Sequence, residues 1–156
     1  MPQLVKGGKY VFGWSIISEY GGILIPEEAL HEYQFKSGEK VIIMPGSYAS
    51  GGFSIAKESL LAESRLSDIL AWNPDLAEFR IEEGNIIDIK GKKLCWATIH
   101  AGGFLQLPPH TLEVYGVKPN DYLLAVRGSY IGIGMVAKGA IFEEAKKHPE
   151  ISVSKL

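Results

Sequence analysis

The sequence predicts a mainly β protein: one pseudo-two-fold β-barrel built from two tandem repeats, with short helices and a helical connector. Three observations predict it. The chain recurs on itself, residues 14–57 returning at 96–138. Its 18 glycines and 8 prolines fall between short apolar segments, the pattern of tight turns joining short strands. Each repeat holds four short strands and one short helix, too little apolar surface to fold alone, so the two are expected to complete one shared core.

At an offset of 82, Trp14 meets Trp96, Ile17 meets Ile99, Pro26 meets Pro108, Leu30 meets Leu112, Tyr33 meets Tyr115 and Lys36 meets Lys118. At 81, Gly21-Gly22 meets Gly102-Gly103 and Ala56-Lys57 meets Ala137-Lys138, slips of one residue near glycines, where bulges and loops absorb insertions. Four segments follow: a first repeat over 1–57, an acidic, partly helical connector over 58–89, a second repeat over 90–138 and a helical tail over 139–156. The repeats together form one structural domain.

Taken in order, Tyr10, Phe12, Trp14 and Ile16 stand at alternate positions and predict a strand with one apolar face. A Gly-Gly turn leads into Ile23-Leu24-Ile25. Pro26 at the first helical position, with Glu27 and Glu28 in the first turn, suits a helix start, and Leu30 and Tyr33 supply its buried stripe. Gly38, replaced by Asn120 in the second repeat, takes the left-handed turn into strand Val41–Met44. The glycine-rich turn from Gly46 to Gly52 precedes Phe53-Ser54-Ile55-Ala56. In the connector, Leu60, Leu61, Leu66, Ile69 and Leu70 predict one amphipathic helix over 60–72, packed outside the barrel. Each repeat trails into a stretch closed by Asn73-Pro74-Asp75-Leu76 or His148-Pro149-Glu150-Ile151.

Composition excludes several function classes. With 156 residues, 46% of them apolar, and a net charge of −2, the chain is long enough for one well-buried domain. Apolar runs such as Val41–Met44 fall far short of the roughly 20 residues a bilayer span requires, and no charged-then-apolar leader opens the chain, so a cytoplasmic protein without a membrane partner is expected. The lone Cys95 has no disulfide partner, and His31, His100, His110 and His148 lack ligand spacing, which points to no metal and no cofactor. His100 lies near Cys95 and Thr98, and His110 beside Thr111, but neither histidine recurs in the first repeat, and the chain reads as non-enzymatic. The segments 46–52 and 128–134, followed by Lys57 and Lys138, read either as amide-lined anion cradles or, preferably, as bulged hairpins. Trp14 and Trp96 read as packing residues before base-stacking ones.

The unit Gly-Gly-Ile-Leu-Ile-Pro, a short helix, then Phe-Lys-Ser-Gly-Glu-Lys-Val-Ile-Ile resembles the AbrB/MazE/SpoVT swapped-hairpin family, and Gly103–Pro108 with Val117-Lys118-Pro119-Asn120-Asp121 repeats the resemblance. In that family two chains interleave hairpins into one barrel, so the resemblance implies that here one chain supplies both halves. It further implies a DNA-binding transcriptional regulator with double-stranded DNA as partner. The alternative is an antitoxin-like or regulatory module that binds a protein partner or small ligand without DNA, and self-association is open in both. The family's basic residue after the turn glycine falls on Gly22 and Gly103.

Charge is unevenly spread. The first repeat is neutral, the connector carries eight acids against two bases, and residues 90–138 carry six bases against two acids. A polyanion responds to such local potential rather than to net charge. Lys-Gly-x-Lys occurs at Lys6–Lys9 and Lys90–Lys93, just upstream of each repeat's first tryptophan. Lys9, Lys92 and Lys93 are therefore the expected phosphate contacts, and Arg127, whose fork matches a guanine edge, the expected base contact. Pro45 stands opposite Arg127 in the first repeat, so that contact comes from one half only.

Overall fold

The two repeats pair strand by strand with each other. In a computed structural model that describes residues 8–63, 67–128 and 131–156, the first repeat forms β1 (Val11–Ile16), β2 (Gly22–Leu24), α1 (Glu27–Tyr33), β3 (Glu39–Pro45) and β4 (Phe53–Lys57). The connector holds α2 (Glu58–Ala62), α3 (Asp68–Ala71), α4 (Pro74–Ala77) and β5 (Ile87–Ile89). The second repeat gives β6 (Lys92–Ile99), β7 (Phe104–Gln106), α5 (Pro109–Val114), β8 (Tyr122–Arg127) and β9 (Gly132–Val136), and the tail gives α6 (Ala140–Ala145) and β10 (Val153–Ser154).

One mixed sheet runs β10-β1-β8-β9-β4-β3-β6-β5, and β2 pairs with β7 in a separate ribbon. The six central strands are a palindrome of the repeats. Trp14 faces Leu124 and Ser15 faces Leu123, while their counterparts Trp96 and Ala97 face Ile42 and Val41. A pseudo-dyad therefore passes between Ser54 and Gly134 in the sheet and between Ile23 and Leu105 in the ribbon. The mainly β class is as the sequence predicts. The ladders themselves do not close on each other, since β10 and β5 end the sheet at opposite edges.

Register corrects the sequence alignment at two turns. Ser18 N–H donates to Gly22 O and Leu107 N–H to Gly21 O, and the matching bonds are His100 to Phe104 and Ile25 to Gly103. Gly21 thus corresponds to Gly103, and the offset stays 82 where a slip to 81 is expected. A side chain explains why the glycine pair misled: Tyr20 stands where the second repeat has Gly102. Gly22 then corresponds to Phe104 rather than to Gly103. At the second turn, Pro45 faces Phe53 and Arg127 faces Ile133, so Ala56 corresponds to Val136 and the second hairpin turn is two residues shorter.

Local chemistry accounts for the elements. Pro26 and Pro108 each sit at the helix N-cap in extended conformation, one residue earlier than expected for Pro26, and Pro109 takes the first helical position of α5. Gly38 at φ 86° and Asn120 at φ 73° make the expected left-handed turns into β3 and β8. The first strand departs from simple alternation. A bulge between Val11 and Gly13 turns Phe12 to the inner core while Trp14 and Val11 pack on the outer face, so β1 is buried on both sides. Of the expected single connector helix the described residues show α2 over Glu58–Ala62 and α3 over Asp68–Ala71, with Leu61, Ile69 and Leu70 buried; Leu66 lies outside the described residues.

Among the described residues, three apolar clusters form the core. The inner one gathers Phe12, Ile23, Ala29, Tyr33 and Ile55 of the first repeat with Ala97, Leu105, Leu112, Tyr115 and Ile133 of the second. Burying each Ile, Leu or Phe among them contributes about 1.5–3 kcal/mol, and both repeats supply them. On the outer face, the connector covers Ile42 and Trp96 with Leu61, Ile69 and Leu76, and the tail covers Leu124 and Trp14 with Phe142, Ala145 and Ile151. Connector and tail thus do the same work on dyad-related surfaces. Leu76 and Ile151, which close the two Pro-containing motifs, are both buried there.

Candidate functional site

The Lys-Gly-x-Lys segment of the second repeat is a hairpin turn. Lys90 at φ 51° and Gly91 at φ 86° link β5 to β6 as the two-residue connection that right-twisted strands favour. Asp88 closes this turn, accepting from Gly91 N–H at 2.8 Å and from the Lys93 ammonium. These hydrogen bonds, the Lys93 one first, hold its carboxyl below the usual aspartate range. The Lys90 ammonium lies 3.7 Å from the centre of the Trp72 ring. Lys92 is exposed on the same strand end.

Lys9 is exposed at the mouth of β1, and Lys6 of the equivalent segment lies outside the described residues. Arg127 ends β8 beside it, its N–H donating to Tyr10 O at 2.9 Å. The Arg127 guanidinium is engaged. Its Nε donates to Glu32 Oε2 at 2.6 Å, a second guanidinium nitrogen donates to Glu32 Oε1, and its carbon stacks 4.6 Å from the Tyr10 ring centre. The hydrogen bonds from Arg127 hold the Glu32 carboxyl below the usual glutamate range.

The four expected contact residues thus form two groups rather than one. Lys9 and Arg127 share the end of the β1–β8 pair, whereas Lys92 and Lys93 open β6, with β8, β9, β4 and β3 between β1 and β6 in the sheet order. The pseudo-dyad relates one strand mouth to the other. Three of the six bases of the second repeat carry an acidic partner: Lys93 has Asp88, Lys118 has Asp121 at 3.6 Å, and Arg127 has Glu32. Half of that segment's positive charge is therefore paired at contact range. Exposed pairs of this kind are weak in water, so a phosphate can displace the acid.

The other candidates take structural positions. Lys57 donates to the carbonyls of Tyr33 (3.2 Å) and Gln34 (2.9 Å) and to Glu39 (3.2 Å), which ties β4 to the C-terminus of α1. Lys138 N–H donates to Ser50 O at 3.0 Å and its ammonium stands 5.3 Å from the Tyr48 ring, so it braces the first glycine-rich turn. The second turn's Ser129 and Tyr130 lie outside the described residues. Trp14 and Trp96 are 7% and 8% exposed, packing residues as the sequence favours. Cys95 is buried with its Sγ 3.8 Å from the Tyr115 hydroxyl, and burial pushes the thiol up to about 12. His100 stacks near Phe104 at 5.8 Å on the surface, and the Thr111 hydroxyl is buried against Gly84 O.

Sequence reasoning missed the acids. Asp88 was detectable, five residues from Lys93 across a Lys-Gly turn, but Glu32 lies 95 residues from Arg127 and only the interleaving joins them. Among the described residues, no group of three or more His, Cys, Asp or Glu side chains is placed to hold a metal ion, and no helix is long and apolar enough to cross a membrane. Compared with family models, curated proteins and solved structures, the chain finds no match.

Proposed function

We propose that the protein is a single-chain DNA-binding regulator of the AbrB type, a swapped-hairpin barrel in which both halves come from one polypeptide. The observation that carries this reading is the palindromic strand order, with first-repeat strands pairing second-repeat strands in the same register on both sides of a pseudo-dyad. Side chains from β1 to β4 and from β6 to β9 meet in one inner cluster, as a sheet wrapped into a barrel requires. Lys9 and the Lys92–Lys93 pair stand at dyad-related strand mouths, and two cationic points related by a dyad suit the two strands of a duplex. Lysines act there as point charges on phosphates. Arg127 reads a base edge only after exchanging Glu32 for it, and from one half alone, so the preferred site is asymmetric.

A second reading is favoured by the same ion pairs: a DNA-independent module whose Arg127–Glu32 and Lys93–Asp88 pairs are finished surface, and which binds a protein or small ligand instead. Retention of genomic DNA fragments on the immobilised protein separates the two. Under the first reading, replacing Lys92 and Lys93 together with alanine weakens retention of all fragments, and Arg127→Ala mainly broadens which fragments are kept. Retention unchanged in both variants assigns the residues to structure.

A further inference from the structure

Duplication allows each site to be compared with its dyad mate, and one pair of positions differs in kind. Position 40 is a lysine; its counterpart, position 122, is a tyrosine. The frame around them is the same. Thr98 faces Lys40 as Ile16 faces Tyr122, and Gly38 N–H donates to Ile99 O at 2.7 Å as Asn120 N–H donates to Ile17 O at 2.7 Å. Each site also has a tryptophan on its floor and a phenylalanine standing edge-on to it: Trp96 with Phe79 (5.5 Å between centres) and Trp14 with Phe142 (5.1 Å). Phe79 follows Leu76 in the connector and Phe142 precedes Ile151 in the tail, so the ring reaches the same place from different positions of the two segments.

In the first site the rings are already occupied. The Lys40 ammonium stands 5.2 Å from the Trp96 ring centre and 5.5 Å from that of Phe79, the arrangement by which aromatic faces attract a cation. In the second site there is no lysine at that position. Tyr122, 48% exposed, adds a third ring, 5.7 Å from Trp14 and at 86° to it, while Phe142 meets Trp14 at 85°. The result is a recess of about 440 Å³ lined by Trp14, Tyr122 and Phe142 together with Asn120, Asp121 and Lys146. Among the described residues no lysine or arginine stands over the Trp14 or Tyr122 ring. Lys146 lies 5.0 Å from the Phe142 centre alone and is held by Glu143 at 3.2 Å; Asp121 is held by Lys118 at 3.6 Å.

We propose that the Trp14–Tyr122–Phe142 recess binds an alkylammonium group, taking from outside the cation that Lys40 supplies within the chain at the dyad-related site. Electrostatic attraction to ring faces and contact with the alkyl substituents carry the affinity; the Asp121 carboxylate adds to it and the Lys146 charge opposes it. A free quaternary ammonium and the side chain of a partner's lysine share this chemistry. The site stands apart from the strand mouths assigned to DNA.

Indole N–H signals in two-dimensional NMR spectra of the full chain test it, with tetramethylammonium and n-butylammonium as probes, 3,3-dimethylbutan-1-ol as the neutral counterpart and sodium chloride at matched ionic strength. The expected result is a saturable shift of the Trp14 signal by the ammonium probes, with Trp96 unmoved and the alcohol without effect; the tighter probe distinguishes a quaternary ligand from a lysine side chain. Tyr122→Lys, which moves the internal cation into the recess, weakens the Trp14 response at least tenfold. Lys40→Ala frees the first site and makes the Trp96 signal respond as well, an arm that stands whether or not Tyr122→Lys folds. Lys146→Ala tightens the probe. An equal response to the alcohol, or a Trp14 signal that does not saturate with either ammonium, overturns the proposal.

Discussion

Arg127 and Glu32 are joined across the two repeats by a two-pronged ion pair, Nε to Oε2 at 2.6 Å, with the guanidinium stacked on Tyr10. One partner ends β8 and the other lies in α1. The pair is partly exposed, so removing it costs little stability: Arg127→Ala is expected to shift the denaturant midpoint only slightly. Its effect on DNA is larger in the reverse direction. Glu32→Gln releases the guanidinium, and under the proposed function it raises DNA retention, while Arg127→Ala narrows the difference between preferred and random fragments. Retention lowered by Glu32→Gln contradicts the assignment of Arg127 to base contact.

The same pair sets a pH dependence. Arg127 holds the folded-state carboxyl of Glu32 below its usual value, so the unfolded chain takes up the proton first as pH falls. The stability this contributes is complete above the unfolded glutamate range, around pH 4.3, and disappears as pH drops through the lower folded value. Melting temperature therefore falls on acidification in the parent chain and falls less in Arg127→Ala. Parallel curves for the two proteins place the acid sensitivity elsewhere.

Glycines at the repeated turns separate two costs. At Gly21, φ is 84° and an added Cβ meets Leu107 O at 2.5 Å, whereas at Gly116, φ is 75° and nothing lies within 4 Å. Gly116→Ala carries only the left-handed penalty, about 1 kcal/mol. Gly21→Ala adds a backbone clash at the ribbon joining the repeats and is expected to cost more than about 2 kcal/mol. Chemical denaturation of both variants checks the order; equal costs mean that the turn relaxes away from Leu107.

Cys95 reports on the shared core. Burial pushes its thiol up to about 12, and it sits among inner residues of both repeats. At pH 8 a thiol-disulfide reagent should label the native chain only at its rate of unfolding, with rapid labelling restored in denaturant. Fast labelling of the folded protein is incompatible with this packing.

Much of the fold was legible because the duplication printed it twice. Trp14 and Trp96, matched at an offset of 82, do take equivalent places, facing Leu124 and Ile42. Where the reading slipped, a local feature outweighed pattern: the bulge at Gly13 sends Phe12 and Trp14 to opposite faces, and two adjacent glycines invited a false offset that the Gly21–Leu107 bond corrects. The connector's apolar positions were read correctly as buried at Leu61, Ile69 and Leu70, while turns at Glu63 and Ser67 end α2 and precede α3 where one helix was expected. Of the site, the lysines' exposure was legible and their acid partners were not. The contrast between Lys40 and Tyr122 was visible in the aligned repeats, yet it acquires meaning only when Phe79 and Phe142 arrive from segments outside them.

The salt dependence of DNA binding tests the proposed function most directly. If Lys9, Lys92 and Lys93 each neutralise one phosphate, log K falls against log[salt] with a slope of about −2.7, and the Lys92→Ala, Lys93→Ala double variant reduces it to about −0.9. A slope near zero, or no retained DNA at low salt, contradicts the account and leaves the DNA-independent reading.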